Sequence, residues 1–393
     1  MVRISAYICL MFSTFPIVGF FLPPYLQSKG LDSIQIGMVM ACGAVISIIA
    51  QPFWGFVSDR RKTVKNVLIL LICGNFIAVS GFFSMEHFVT IAVFFTIFMF
   101  FNSATGALTE TLVISYTHVH KIEYGKVRLW GEVGVGLSAL MLGVVIDRLG
   151  LGYMWIIYSS LLAAALVMIN TLKDSASTPV PVNFKALGKL FMQPKLLCFL
   201  ALIMTVSIPH RMNDILLSLY FTELGAPKSM FGYAWVVATF STVPALLLVG
   251  RLVKRWNAMT VLVMAVLAYS VRWAVYGMAD DPIVLIAAQA LHSVTFPLFL
   301  VASIQHLMNI VPGELRASGQ AAFAVTFGGL GGMLGSIGGG YAFEQFGAKA
   351  AYGIGSGLAF LTAVIVLITL IVNRQKRGMI KAGSERGAAL LNE

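Results

Sequence analysis

Residues 34 to 62 read IQIGMVMACGAVISIIAQPFWGFVSDRRK, an uncharged and largely apolar run over 34 to 58 closed by Asp59-Arg60-Arg61-Lys62. At 1.5 Å per helical residue the run is longer than the roughly 30 Å hydrocarbon core of a bilayer. The segment therefore reads as a membrane-spanning helix that ends in a charged turn.

Comparable runs recur along the whole chain of 393 residues, of which 59% are hydrophobic and only 11% charged, against roughly 25% charged in a soluble domain. The predicted spans are 6 to 28, 34 to 58, 66 to 85, 89 to 117, 127 to 147 and 152 to 172, then 196 to 222, 229 to 251, 258 to 278, 282 to 311, 317 to 343 and 350 to 372. The expected fold is all-α and membrane-embedded, with twelve transmembrane helices. The first span has no small-residue cleavage site and is followed at once by another, so it reads as a retained helix.

The net charge of +11 raises the question of a nucleic-acid partner. Sorted by this topology, most Lys and Arg residues fall on one side, while Lys29, Arg148, Lys228 and Lys349 lie opposite. That asymmetry is the positive-inside rule: it implies a multi-pass protein of the inner (cytoplasmic) membrane with both termini cytoplasmic, and no nucleic-acid partner. Cys9, Cys42, Cys73 and Cys198 sit inside apolar runs without metal-ligand spacing, so no metal or other cofactor is implied.

The quoted stretch has an echo. A shift of 195 positions brings Tyr25 onto Tyr220, Gly30 onto Gly225, Gly37 onto Gly232, Gly55 onto Gly250 and Arg60 onto Arg255. A second shift, of 197, pairs Asp147-Arg148-Leu149-Gly150 with Glu344-Gln345-Phe346-Gly347. Two related halves follow, a six-helix bundle over 1 to 172 and another over 196 to 373. Between them 173 to 195, with Pro179 and Pro181, reads as a cytoplasmic linker, and 374 to 393 as a polar, mobile cytoplasmic tail. Two such bundles facing each other can enclose a midplane chamber that opens to either side by rocking.

Gly55-Phe56-Val57-Ser58-Asp59-Arg60-Arg61-Lys62 resembles the loop Gly-x-x-x-Asp-Arg-x-Gly-Arg-Lys of the major facilitator superfamily, departing from it at Lys62 and Thr63. The resemblance implies that Gly55, Asp59 and Arg60 form a conformational switch between inward and outward states. A plain basic anchor at the membrane edge is the alternative reading.

A charge at the bilayer centre costs at least about 2.5 to 3.5 kcal/mol on insertion scales, so ionisable groups inside spans are functional candidates. Span four offers Asn102 and Glu110; span five has Lys126, Arg128 and Glu132, the last one helical turn after Arg128. Span seven carries His210, Arg211, Asn213 and Asp214; span nine has Arg272; span ten has Gln289, His292, Gln305 and His306. Arg128 also suits a snorkelling role at the membrane edge, and Arg272 a pairing away from substrate. Gly331, Gly335 and Gly339 are spaced at four, a small-residue ridge for close helix packing, and no P-loop Lys accompanies them.

Glu123-Tyr124-Gly125-Lys126-Val127-Arg128-Leu129-Trp130-Gly131 resembles the corresponding stretch of the phenylpropionate permease family and, more distantly, of the lactose permeases. Val271-Arg272-Trp273, Gln289 to Phe296 and His210 match the former family as well. The resemblance implies substrate binding by Arg128 and Glu110, with first, fourth, seventh and tenth spans lining the chamber. The candidate binding set is Glu110, Arg128, Asn102, His210, Arg211, Arg272, His292 and Gln289, and the candidate proton carriers are Asp214, Glu132 and Glu110.

The expected activity is proton-coupled symport of a small organic solute by alternating access, with an aromatic or other organic acid favoured over a sugar or nucleoside. The expected partners are that solute, protons and the lipid bilayer, and the protein is expected to be a monomer. Export by proton antiport is the first alternative and a non-transporting membrane sensor the second. No nucleophile-base spacing or His-Glu-x-x-His cluster suggests an enzyme.

Overall fold

Every regular element among the described residues is helical. The computed structural model describes residues 1 to 172, 174, 193 to 312 and 315 to 390. Most of the expected linker, 173 and 175 to 192, lies outside them. In chain order the helices are α1 (Val2–Ser28), α2 (Ser33–Arg61), α3 (Val64–Phe83), α4 (Phe88–Val119), α5 (Tyr124–Leu149) and α6 (Leu151–Asn170). They continue as α7 (Pro194–Glu223), α8 (Ser229–Arg255), α9 (Ala258–Met278), α10 (Pro282–Ile310), α11 (316 to 346) and α12 (348 to 390). Ten stretches are long and apolar enough to cross a membrane among the described residues, with Ser318–Ile371 counted as one.

The turns explain the boundaries. Glycines of positive φ are Gly30, Gly150, Gly225 and Gly347, at +88°, +88°, +69° and +78°, a region that other residues enter only with strain. They are two of the glycine pairs of the internal repeat, Gly30 with Gly225 and Gly150 with Gly347, so each half turns its chain in the same way at the same places. All four lie at one rim of the bundle, called distal here, while Met1, Arg61, Lys121 and Pro194 mark the proximal rim. The backbone helix of α12 continues through residues 374 to 390, the stretch expected to form the tail. Ala, Glu, Lys and Arg favour helix there strongly enough to carry it past Gly378, Gly383 and Gly387.

Three spans are interrupted internally by a turn that is not α-helical. In α1 a π-turn over Ile17–Phe21 follows Pro16. In α10 a 3₁₀ turn over Gln289–Leu291 precedes His292, and in α11 a π-turn covers Val325–Leu330. Such turns break the i to i−4 ladder and leave backbone carbonyls in need of other partners. Phe327 shows the result, since its carbonyl accepts from Ser207 Oγ at 2.6 Å and from Arg211 Nε at 3.4 Å.

Among the described residues the first six helices meet the last six most extensively through two pairs, α2 with α11 and α5 with α8, with smaller contacts of α1 to α7 and α8. At the distal rim these pairs touch backbone to backbone. A side chain at Gly37 would collide with Ser336 O, and one at Gly232 with Ala139 O. One at Gly340 would meet Ser33 O, and one at Gly143 would lie 2.6 Å from Ser229 Cα. Lipid offers no hydrophobic drive to join helices, so contact this close, made by small residues, supplies the dispersion attraction that does.

Towards the proximal rim the contacts end. Gly55 lies on the face of Gly37, eighteen residues or five helical turns along α2, and has nothing within 4 Å of its Cβ position. Gly136, two turns before Gly143 on the same face of α5, is equally open. The helix pairs therefore splay, closed at the distal rim and apart towards the proximal one. The glycine ridge of α11 seats α7, with Gly331 against Ser207, Gly335 against Ile208 O and Gly339 against Met212.

Candidate functional site

Among the described residues, three polar clusters within the spans are each built on an arginine, Arg128, Arg211 and Arg272. The first joins α4 and α5 in their proximal halves. Arg128 Nε lies 2.5 Å from Glu110 Oε1, and its NH1 lies 3.0 Å from Glu132 Oε1 one turn away. Tyr124 donates to the other oxygen of Glu110 at 2.6 Å, and the guanidinium of Arg128 stacks over the Phe12 ring of α1 at 4.4 Å. The side chains of Arg128 and Glu110 are each 26% exposed, so the pair borders an open space rather than a sealed core. The contact to Glu132 is one of charge and not an aligned hydrogen bond, because NH1 has no hydrogen-bond acceptor.

The second cluster lies where α7 faces α1 and α8. Arg211 NH1 bonds Asp214 Oδ2 at 3.1 Å, and the Arg211 guanidinium sits 4.7 Å from the Phe327 ring that the π-turn of α11 carries. Asp214 borders a narrow cleft of about 10 Å3, room for about one water, with Phe20, Asn213 and Trp235. Phe20 and Trp235 stack across it with ring centroids 3.5 Å apart, one ring from α1 and one from α8. The Arg211 and Asp214 side chains are 32% and 29% exposed.

Arg272 in α9 organises the third. It is 1% exposed and reaches Gln289 Oε1 at 2.5 Å, His292 Nδ1 at 3.0 Å, Thr295 at 3.4 Å and the Tyr276 hydroxyl at 3.2 Å. All of these partners are neutral side chains or an imidazole, and the planar fork of guanidinium donors suits several at once. Its contacts pin the 3₁₀ turn of α10 and leave Gln289 Nε2 without a partner. Arg272 and Gln289 are thus both buried, while His292 is half-exposed beside Trp235 at a ring distance of 6.3 Å.

The structure brings Glu110, Arg128 and Glu132 together, then Arg211 with Asp214, then Arg272 with Gln289 and His292. His210 is buried, its Nδ1 3.0 Å from the Tyr269 hydroxyl and its ring stacked on Phe296. Asn102 lies in a hydrogen-bonded triad: its Oδ1 accepts from Asn75 at 3.0 Å and from Tyr158 at 3.1 Å, tying α3, α4 and α6. Gly55, Asp59 and Arg60 sit at the proximal end of α2, away from all three clusters. There Lys62, which holds the place of a glycine in the superfamily loop, adopts φ +51° and caps the helix.

Sequence reasoning missed Tyr124, Phe20, Trp235 and Tyr276. Helical spacing signals two of them, since Tyr124 precedes Arg128 by one turn and Tyr276 follows Arg272 by one. Nothing local marks Phe20 or Trp235, which meet only because α1 and α8 do.

The model of the MFS_1 like family matches residues 1 to 354. Maltose permease of Geobacillus stearothermophilus is 26% identical over 386 residues, covering 96% of this chain and 95% of its own length. The protein named probable 3-phenylpropionic acid transporter of Escherichia coli strain K12 is 25% identical over 330 residues, 81% of this chain and 86% of its own length. Among solved structures, nucleoside transporter NupG superposes with a TM-score of 0.84 at 16% identity, over 94% of this chain and 98% of its own, a likeness of fold. The chain belongs to the MFS_1 like family of the major facilitator superfamily: it is a multi-pass membrane transporter with an all-α fold, and not an enzyme.

Proposed function

We propose that this family member is a secondary active symporter that couples protons to uptake of a small organic solute by alternating access. In this reading 1 to 172 and 196 to 373 move as two bundles joined by the linker over 173 to 195. The proximal rim faces the cytoplasm of a cell whose inner membrane holds the protein as a monomer, so the conformation described opens inward.

The observation that carries the reading is the splay of α2 from α11 and of α5 from α8, tight at Gly37 and Gly143 and open by Gly55 and Gly136. The partly exposed pairs Arg128–Glu110 and Arg211–Asp214 lie on the spans that border the gap. Buried charge is tolerated in a membrane chiefly around such a chamber.

An organic acid is the favoured solute. A substrate carboxylate that reaches Arg211 must share it with Asp214, and a proton taken up by Asp214 removes the repulsion between the two acids. One proton then travels with one anion. Phe20 and Trp235 line the same cleft and now stack on each other, so they must part before an aromatic ring can take a place between them. Arg272, buried behind His292, acts as a positioning residue that orients the imidazole towards the cleft.

A specific observation favours a second ligand class at the proximal cluster. Arg128 is already faced by two carboxylates, which suits a neutral, hydroxyl-rich solute such as a sugar or nucleoside better than an anion. Purified protein screened by thermal shift against aromatic acids, sugars and nucleosides decides between them. Substrate-induced alkalinisation outside proteoliposomes tests symport, and accumulation only in everted vesicles would reverse the direction to export. Binding without any movement of solute would leave a sensor.

A further inference from the structure

The two acids of the internal repeat have a role that neither the ion-pair clusters nor the superfamily loop supplies. Asp147, at the distal end of α5, accepts from the backbone N–H of Lys228 at 2.6 Å and of Ser229 at 2.9 Å, both at the start of α8. Glu344, at the distal end of α11, accepts from the N–H of Ser33 at 3.0 Å at the start of α2. Each acid therefore caps a helix belonging to the other six-helix set.

The two contacts are copies. Glu344 lies 197 positions after Asp147, and Lys228 lies 195 after Ser33. One turn behind each acid stands a glycine, Gly143 and Gly340, and one turn into each capped helix stands another, Gly232 and Gly37. The glycines bring the backbones into contact, which puts the carboxylate on the exposed N–H groups and the positive end of the helix dipole.

We propose that Asp147 and Glu344 form a symmetric pair of latches that hold the distal gate shut and are released together when it opens. The inference rests on the alternating-access reading, since only a relative movement of the two helix sets separates acid from helix start. The latches are unequal. α2 carries its own cap, with Asp32 accepting from Gln35 N at 2.7 Å in a capping box, so Glu344 supplements a helix start already satisfied. α8 has Lys228 at its N-cap and no side chain of its own on the free N–H groups, so it depends on Asp147. Loss of Asp147 therefore loosens the gate more than loss of Glu344.

The test is a spin-label distance measurement across the distal rim, with labels at Gln27→Cys and Glu223→Cys, both exposed, in protein whose native cysteines are replaced. The full chain in lipid nanodiscs should show a dominant short distance. Asp147→Asn should raise the population of a longer, open-gate distance by about threefold, Glu344→Gln by less, and the double variant by the product of the two. Asp280→Asn, which removes a distal acid paired with Lys349 within the last six helices, should change nothing. Gly37→Leu, which wedges α2 from α11, reports on rocking itself. If that variant opens the rim and the acid variants do not, the latch is overturned and alternating access stands. If no variant alters the distance, both are overturned.

Discussion

Arg128 on α5 and Glu110 on α4 meet at 2.5 Å, Nε to Oε1, although eighteen residues and a charged turn separate them in sequence. The pair is part-exposed, and Tyr124 holds the second carboxylate oxygen. Substrate reaching it must therefore rearrange groups that already satisfy one another, which makes this cluster sensitive to single changes.

Arg128→Ala should weaken solute binding at least about tenfold, equivalent to about 1.4 kcal/mol, while the protein still elutes as a folded, monodisperse species. Thermal shift with the ligand identified by the screen measures it. An unchanged shift would remove Arg128 from the binding site.

Asp214→Asn should separate binding from coupling. Arg211 loses its carboxylate partner and keeps its place over Phe327, so an anionic solute still binds, with equal or higher affinity. Substrate-induced pH change in proteoliposomes should disappear while counterflow of labelled solute persists. Retained proton movement would pass the carrier role to Glu110 or Glu132.

Arg272→Lys should lower thermal stability despite keeping the charge. A lysine ammonium cannot serve Gln289, His292, Thr295 and Tyr276 together, and leaving buried partners unpaired costs about 1 to 3 kcal/mol. The midpoint of unfolding in detergent should fall by several degrees. A substitution that left it unchanged would contradict the organising role of this guanidinium.

Lys62→Gly should do the opposite. Lys62 holds φ +51° at the end of α2, a conformation that costs a β-carbon-bearing residue roughly 1 kcal/mol and a glycine almost nothing. A small rise in the unfolding midpoint is expected, without change in ligand affinity, because the position lies outside the three polar clusters.

Several parts of the site are legible one helix at a time. Arg128 with Glu132 and Arg211 with Asp214 are pairs at helical spacing, and any reader of the sequence can place each on one face. Glu110 with Arg128 spans two helices and became visible only through resemblance to known permeases. Asn102 is legible as a polar residue in an apolar span, but the Asn75 and Tyr158 groups that its Oδ1 accepts from lie on two other helices. Asp147 and Glu344 stood out as an echo, but which N–H groups they cap depends on a helix hundreds of positions away for Glu344.

The chain by itself determined where the spans run, where they turn and that the pattern occurs twice. These are local properties: apolar length decides transfer into lipid, and Gly30, Gly150, Gly225 and Gly347 mark backbone conformations that other residues resist. Only the tertiary structure decided which rim is closed, which acid meets which arginine and which buried cation is left among neutral partners. Those outcomes depend on the rotation of each helix about its axis and on glycine-sized gaps between helices, and neither is written in the hydropathy of a single span.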